Sequence, residues 1–246
     1  MKRKILVFAL LLGLLSSCEQ LLQVAKEIDQ TRPLTEQEVV SGLKQALKIG
    51  VDSAASRLAA TDGYYLDNTV RIGLPPEARV IADNISYLPG GQALVEDIIF
   101  RINRAAEDAA REAAPVFGQA IANMTISDGF YILRGDDNAA TQYLKMQTYP
   151  YLYRLYHPKI KNSTEKPIVG NMSTINAWNS LTRNWNSVAT SAVGRMAGLS
   201  TVDVELDEYL TELALDGLFL KLAEQEEKIR HDPAARVTEL LRRVFE

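Results

Sequence analysis

The chain has 246 residues, of which 47% are apolar, and its 27 basic and 31 acidic residues give a formal net charge of −4 at pH 7. This length suits one large domain or two small ones. The acidic balance disfavours a nucleic-acid partner and would repel anionic lipid surfaces. The single cysteine excludes an internal disulfide.

The first 17 residues have the pattern of a secretory signal peptide: three basic residues, an apolar run over residues 5–15 and a small-residue cleavage site. Residues 15–18, Leu-Ser-Ser-Cys, resemble a bacterial lipobox, in which the cysteine becomes the lipidated first residue. Because Cys18 is the only cysteine and lies where a lipobox requires it, we predict a lipid anchor at this residue. The alternative is an ordinary signal peptide with a cysteine near its cleavage site by chance.

The lipobox predicts where the protein resides: the bacterial cell envelope, lipid-anchored, on the periplasmic side, with the inner or outer membrane left open. Residues 18–33 would form the lipidated N-terminus and a short tether, and residues 34–246 the folded domain. Cleavage removes basic residues and leaves a more acidic body, so membrane attachment would depend on the acyl chains. More than one chain is needed for a stable anchor.

Helical signals begin directly after the tether. Thr35 and Glu38 have the spacing of a capping box and predict the start of a helix. Residues 64–76 are the least helical stretch, and we predict a loop there with a short extended piece. Residues 92–114 predict a long helix, which Pro115 breaks or kinks before a shorter one.

The second half of the chain alternates predicted helices with loops. Turn and capping residues predict helices over residues 125–135 and 138–147, followed by a tyrosine-rich segment. A polar loop is predicted over residues 159–170, an amphipathic helix over 171–188 and a long loop over 189–202.

The stretch from Leu210 to Ala223 has almost no polar face. A helix that is apolar all round must be covered on several sides, so we place it at the centre of the domain. Asp232 and Pro233 predict the start of a final helix. The sequence therefore predicts an all-α, single multi-helix domain around a buried C-terminal helix, with one short loop or extended segment near residues 64–76.

Familiar catalytic and metal-binding patterns are absent from the sequence. It contains no Gly-x-Ser-x-Gly nucleophile motif, no His-Glu-x-x-His motif, no calcium loop and no phosphate loop. We interpret the two histidines, His157 and His231, as structural. We accordingly predict no metal and no cofactor.

Acidic residues on the predicted C-terminal helix offer one catalytic hypothesis. Glu208, Glu212 and Asp216 lie four residues apart, and Asp216 has apolar neighbours in sequence. If two of them faced a cleft, burial and mutual repulsion would raise a pKa toward that of a general acid. Asp216 and Glu212 would then serve an acid–base hydrolase acting on envelope glycans. The competing interpretation places the glutamates in solvent and bonds Asp216 to an arginine or a helix end.

Aromatic residues offer a binding hypothesis. Tyr153 and Tyr156 lie on one helical face, and Trp178 and Trp185, seven residues apart, lie on another. Rings with amide side chains nearby suit a groove that stacks on and hydrogen-bonds a sugar or a peptide. We take these four residues as candidate ligand-binding residues, with packing at the rim of the core as the alternative.

Several stretches of the mature chain resemble one bacterial family. They are residues 34–52, VRIGLPPE from Val70, ILRGDDNAATQYL from Ile132 and ALDGLFLKLAEQEEKIRHDPAARVTELLRRVF from Ala214. On these residues the chain resembles the domain of unknown function 4197 (DUF4197) family, in a lipoprotein-type precursor. The resemblance implies an all-helical envelope protein, usually exported and sometimes lipidated. It implies no activity, cofactor or catalytic residue.

We therefore expect an envelope lipoprotein that acts as a non-enzymatic binding or interaction module, with an envelope protein or glycan as its partner. The glycan hydrolase is the alternative from a different class. A helical carrier for apolar cargo would need an internal cavity, and the dense apolar pattern of the C-terminal helix argues against one.

Overall fold

A computed structural model describes residues 32–87, 90–167 and 171–245 of the chain. Within these ranges the protein is a single all-α domain without β-strands, as predicted. The ten α-helices are α1 Glu36–Ala59, α2 Arg79–Asp83, α3 Gly91–Ala110, α4 Ala113–Asn123, α5 Ile126–Leu133, α6 Ala139–Glu165, α7 Thr174–Ala189, α8 Ala192–Met196, α9 Leu206–His231 and α10 Glu239–Val244. Short 3-10 helices occupy Pro76–Ala78, Ile85–Tyr87 and Pro233–Ala235.

The predicted signal peptide, Cys18 and nearly all of the tether lie outside the described residues. The division into residues 1–17, 18–33 and 34–246 therefore stays a prediction. Within the described ranges, no helix is both long and apolar enough to cross a membrane.

Helix α1 begins where the capping pattern predicts. The hydroxyl of Thr35 accepts from the backbone N–H of Glu38, and the Glu38 carboxylate accepts from the backbone N–H of Thr35. Hydrogen bonds hold the pKa of Glu38 well below its usual range, and the bond from Arg32 has a larger effect than those from Thr35. The helix runs through the domain and packs against α3, α4, α5, α9 and α10.

Helix α9 is the central helix, as predicted. It packs against α6, α1 and α3 and buries twelve residues, including Leu210, Leu218 and Phe219. The expectation that it is apolar all round is wrong, because Glu212, Asp216 and Leu220 form a stripe open to solvent. One face of the central helix therefore contributes to the protein surface.

The predicted irregular segment over residues 64–76 is also confirmed. Buried polar side chains of α3 hold this segment in place. The Asn103 amide accepts from the backbone N–H of Ile72 and donates to its carbonyl. The Glu107 carboxylate accepts from the backbone N–H groups of Tyr64 and Tyr65. Asn103 and Glu107 are almost fully buried, so these bonds satisfy loop groups that water cannot reach.

Helix α6 differs most from the prediction, because it continues through Pro150 and Pro158 where the sequence indicated a break and a loop. Both prolines lie on the exposed side of the helix, so carbonyls that lose their helical partner can bond to water. The opposite side buries Leu152, Tyr156 and Ile160 in the core. This burial stabilises the helix across both prolines.

Two predictions near the C-terminus are also corrected. The predicted loop over residues 189–202 contains α8, which Ser191 caps by accepting from the backbone N–H of Gly194. The final helix does not start at Pro233: Asp232 caps only a 3-10 turn, and Thr238 caps the separate helix α10.

Candidate functional site

Three of the four predicted ligand-binding rings lie in the core. Trp178 and Trp185 are buried on α7, and their Nε1–H groups donate to the carbonyls of Val204 at 3.3 Å and Ser200 at 2.9 Å. Tyr156 is also buried. Burial makes these three rings inaccessible to a ligand, and only Tyr153 presents part of its ring at the surface.

The predicted acid and base are not buried. The Asp216 side chain is 51% exposed and its Oδ1 bonds to Nζ of Lys145 at 2.7 Å, while Glu212 is exposed. The premise of buried carboxylates is therefore wrong for this pair. Asp216 is bonded as the competing interpretation required, although its partner is a lysine.

The structure brings both sets of candidates together along one line where α6 packs on α9. Four residues of α6 at four-residue spacing face acidic residues of α9, and the two helices run antiparallel, because Lys145 pairs with Asp216 and His157 lies beside Asp207. We call this surface the tyrosine–carboxylate seam. It consists of Lys145, Tyr149, Tyr153 and His157 on α6 and Asp207, Glu208, Glu212 and Asp216 on α9.

The rings of the seam form a row. The Tyr149 and Tyr153 ring centroids are 6.5 Å apart, and the His157 ring stacks on Tyr153 at 5.7 Å with an interplanar angle of 10°. At one end of the row, Nζ of Lys145 lies 5.5 Å from the ring centroids of both Tyr149 and Phe219. The protein's own ammonium group thus occupies the position that a cation takes over an aromatic face.

The electrostatic environment of the row is negative. Partial burial, together with the charges of Glu208, Glu212 and Asp207, raises the pKa of Tyr153. Partial burial, together with Asp216 and Glu212, likewise raises the pKa of Tyr149. Both hydroxyls therefore stay protonated at neutral pH.

The carboxylates of the seam differ in their partners. Asp216 pairs with Lys145, and Asp207 lies 3.5 Å from Nε2 of His157. Within the described ranges, neither Glu208 nor Glu212 has a cation partner, and both are exposed. The middle of the seam therefore combines a partly exposed ring with two unneutralised carboxylates.

Other charged clusters are fully bonded within the protein. Nζ of Lys221 is buried and bonds to Asp67, Thr69 and Glu224, each at 2.8 Å. The Glu226 carboxylate accepts from the backbone N–H groups of the first turn of α6. In the part of the chain that the structure describes, no group of three or more His, Cys, Asp or Glu residues could hold a metal ion.

These observations define the class of protein: a single all-α domain whose central helix contributes an acidic, tyrosine-lined stripe to the surface. The chain belongs to the family described as protein of unknown function (DUF4197), whose model matches residues 33–246. The resemblance to this family is thereby confirmed over nearly the whole chain, whereas the lipoprotein-type precursor stays a prediction. No curated protein and no solved structure matches.

Proposed function

We propose that this protein is a lipid-anchored, non-enzymatic interaction module on the periplasmic side of a bacterial envelope, and that its seam binds a basic segment of a partner protein. The lipobox residues ending at Cys18 support the anchor and the location. The observation that carries the binding role is the pair Glu208 and Glu212, which lie beside Tyr153 without a cation among the described residues.

The chemistry of the seam favours lysine and arginine side chains. A cation over an exposed tyrosine contributes about 0.5–1 kcal/mol, and an exposed ion pair contributes up to about 1 kcal/mol. Two carboxylates and one ring together therefore support a weak, reversible and salt-sensitive complex. The contact of Lys145 with Tyr149 and Asp216 is an internal example of the same recognition.

The seam is better suited to binding than to catalysis. A general acid needs a carboxyl group whose pKa is raised by desolvation or by a close like charge. Glu212 and Asp216 are exposed, and Asp216 is neutralised by Lys145. We therefore do not favour the glycan hydrolase.

The anchor is tested by metabolic labelling of cells with a radioactive fatty acid. We expect label on the wild-type protein and none on Cys18→Ala, which should leave the membrane fraction. A wild-type protein that stays unlabelled would remove the anchor from the proposal.

The binding surface is tested by photo-crosslinking in cells, with a photoreactive phenylalanine at position 153. The matched control carries the same group at Tyr151, which is exposed and two residues away on the same helix. We expect a captured protein from position 153 only, and the peptide joined to the probe, released with a protease that cleaves after glutamate, should contain several lysine or arginine residues.

Charge dependence separates this proposal from nonspecific capture. The double variant Glu208→Gln/Glu212→Gln should abolish the capture. Glu165→Gln/Glu227→Gln removes the same charge from exposed positions of α6 and α9 outside the seam and should leave it intact. Equal capture by the two double variants would contradict a role for the seam.

A further inference from the structure

A second surface feature lies beside α5. A groove of about 620 Å³ runs between the outer side of α5 and the start of α6, and we call it the α5 groove. Its lining includes Ser127, Phe130, Tyr131, Arg134, Gln142 and Met146. Tyr131 and Met146 are about two-thirds exposed (64% and 65%), and both lie in the same groove.

The groove also presents a cation. The Arg134 guanidinium lies 5.6 Å from the ring centroid of Phe130, and no carboxylate among the described residues pairs with it. A guanidinium beside exposed tyrosine and methionine side chains suits the boundary between lipid phosphates and acyl chains, where tyrosine is enriched. Asp136 lies at the rim, so contact with zwitterionic lipid is favoured over contact with anionic lipid.

The position of α5 relative to the tether indicates which surface the groove meets. Gly129 on the inner side of α5 packs so closely on Val40 of α1 that an added Cβ would lie 2.6 Å from the valine Cγ2. Val40 is one helical turn after Glu36, and the Arg32 carbonyl is fixed by a 2.7 Å bond from Arg243. The chain therefore joins the domain beside the helix that bears the groove.

The tether keeps this helix near the membrane. From Cys18 to Arg32 the chain can span at most about 50 Å when fully extended. An anchored domain thus meets its own bilayer at a high effective concentration, so a small apolar surface is sufficient for contact.

We propose that the α5 groove is a lipid-contact surface, which places Tyr131 and Met146 in the interface of the bilayer that holds the lipid on Cys18 and Arg134 against its phosphates. This inference rests on the anchor in the proposed function. The domain would then lie against the membrane through α5, with its orientation fixed by two contacts, the lipid and the groove.

Helix α8 supplies a matched control. Val193 and Met196 are as exposed as the groove residues, at 62% and 90%. However, α8 packs on α7, which in turn packs on α3 and α6, and so lies on a different side of the domain from the α1–α5 contact. Exposure alone would predict equal membrane contact for both helices, whereas the tether predicts contact for α5.

The test uses the full lipidated chain purified from cells and reconstituted into phosphatidylethanolamine vesicles that contain nitroxide-labelled lipid. A bimane fluorophore is attached to Ser127→Cys in the groove or to Met196→Cys on α8. We expect severalfold stronger nitroxide quenching at position 127 than at position 196. Adding Tyr131→Ser/Met146→Ser should reduce the quenching at 127 to the level at 196.

The outcomes distinguish this inference from the proposed function. A protein that floats with the vesicles but is quenched equally at positions 127 and 196 overturns the lipid-contact surface and leaves the anchor intact. A protein that does not float overturns the anchor and this inference together.

Discussion

The buried lysine of α9 gives the sharpest stability prediction. The Lys221 side chain is only 3% exposed, and its ammonium group holds the irregular segment before Pro76 through Asp67 and Thr69. Lys221→Met keeps an unbranched chain of similar length and removes the charge and its three hydrogen bonds. The substitution therefore isolates the polar interactions from the packing.

The stability lost in Lys221→Met depends on how well the remaining carboxylates are paired or hydrated. Removing one partner of a buried ion pair typically costs about 3–5 kcal/mol. Asp67 keeps its bond to Arg57 at 3.1 Å, and the partner carboxylate Glu224 is one-third exposed and can turn to water. We therefore expect Lys221→Met to lower the free energy of unfolding by about 3 kcal/mol, the lower end of that range. That is a large part of the about 5–15 kcal/mol that stabilises a typical domain.

The assay is urea unfolding followed by tryptophan fluorescence, since the two tryptophans, Trp178 and Trp185, are buried. Lys221→Met/Asp67→Asn should be about 1–2 kcal/mol more stable than the sum of the two single losses predicts. A loss below about 1 kcal/mol in the single variant Lys221→Met, the size expected for an exposed pair, would refute the assignment of this ion pair as buried.

The ion pair between Lys221 and Asp67 also predicts that the stability of the protein depends on pH. Burial alone would raise the pKa of Asp67, but hydrogen bonds from Lys221 and Thr69 outweigh it and hold the pKa well below its usual range. A depressed carboxyl pKa contributes stability above the unfolded value, about 3.9, and the contribution is lost as the pH falls through the folded value. The stability difference between wild type and Lys221→Met should therefore shrink as the pH falls below about 4.

Four further substitutions can be followed by the same urea assay. Tyr156→Phe removes a buried hydroxyl without a partner among the described residues, so stability should stay equal or rise by up to about 1 kcal/mol. Gly217→Ala should cost about 1–3 kcal/mol, because its Cβ would lie 2.9 Å from Cε1 of Tyr64. Gly118→Ala, a helical control with open space around it, should gain about 0.5–1 kcal/mol. Glu226→Ala should cost about 3 kcal/mol, because it leaves buried N–H groups of α6 unpaired.

Local signals account for the features that the sequence predicted well. The capping boxes at Thr35 and Thr125 satisfy backbone groups within four residues of chain, and both form as the pattern indicates. Helix α7 likewise follows from the helical spacing of Trp178, Leu181 and Trp185 on one buried face. Each of these features depends on neighbours within a few turns.

The errors arise where distant contacts outweigh a local preference. Pro150 and Pro158 are reliable local signals for ending a helix, yet α6 continues because its opposite face is buried against other helices. The polar residues Asn103 and Glu107 were missed for a related reason, since their partners are backbone groups of a loop more than 30 residues earlier. Their positions, four residues apart within an apolar row of α3, were the available signal.

The seam shows how tertiary pairing changes the chemistry inferred from single helices. In the sequence, the tyrosines near residue 153 and the acids near residue 212 supported two separate hypotheses, a sugar groove and an acid–base pair. Antiparallel packing of α6 on α9 places each acid beside a ring or a cation and leaves it in contact with water. An exposed carboxylate beside a ring attracts cations, so the residues that suggested catalysis instead support the proposed recognition of a basic partner.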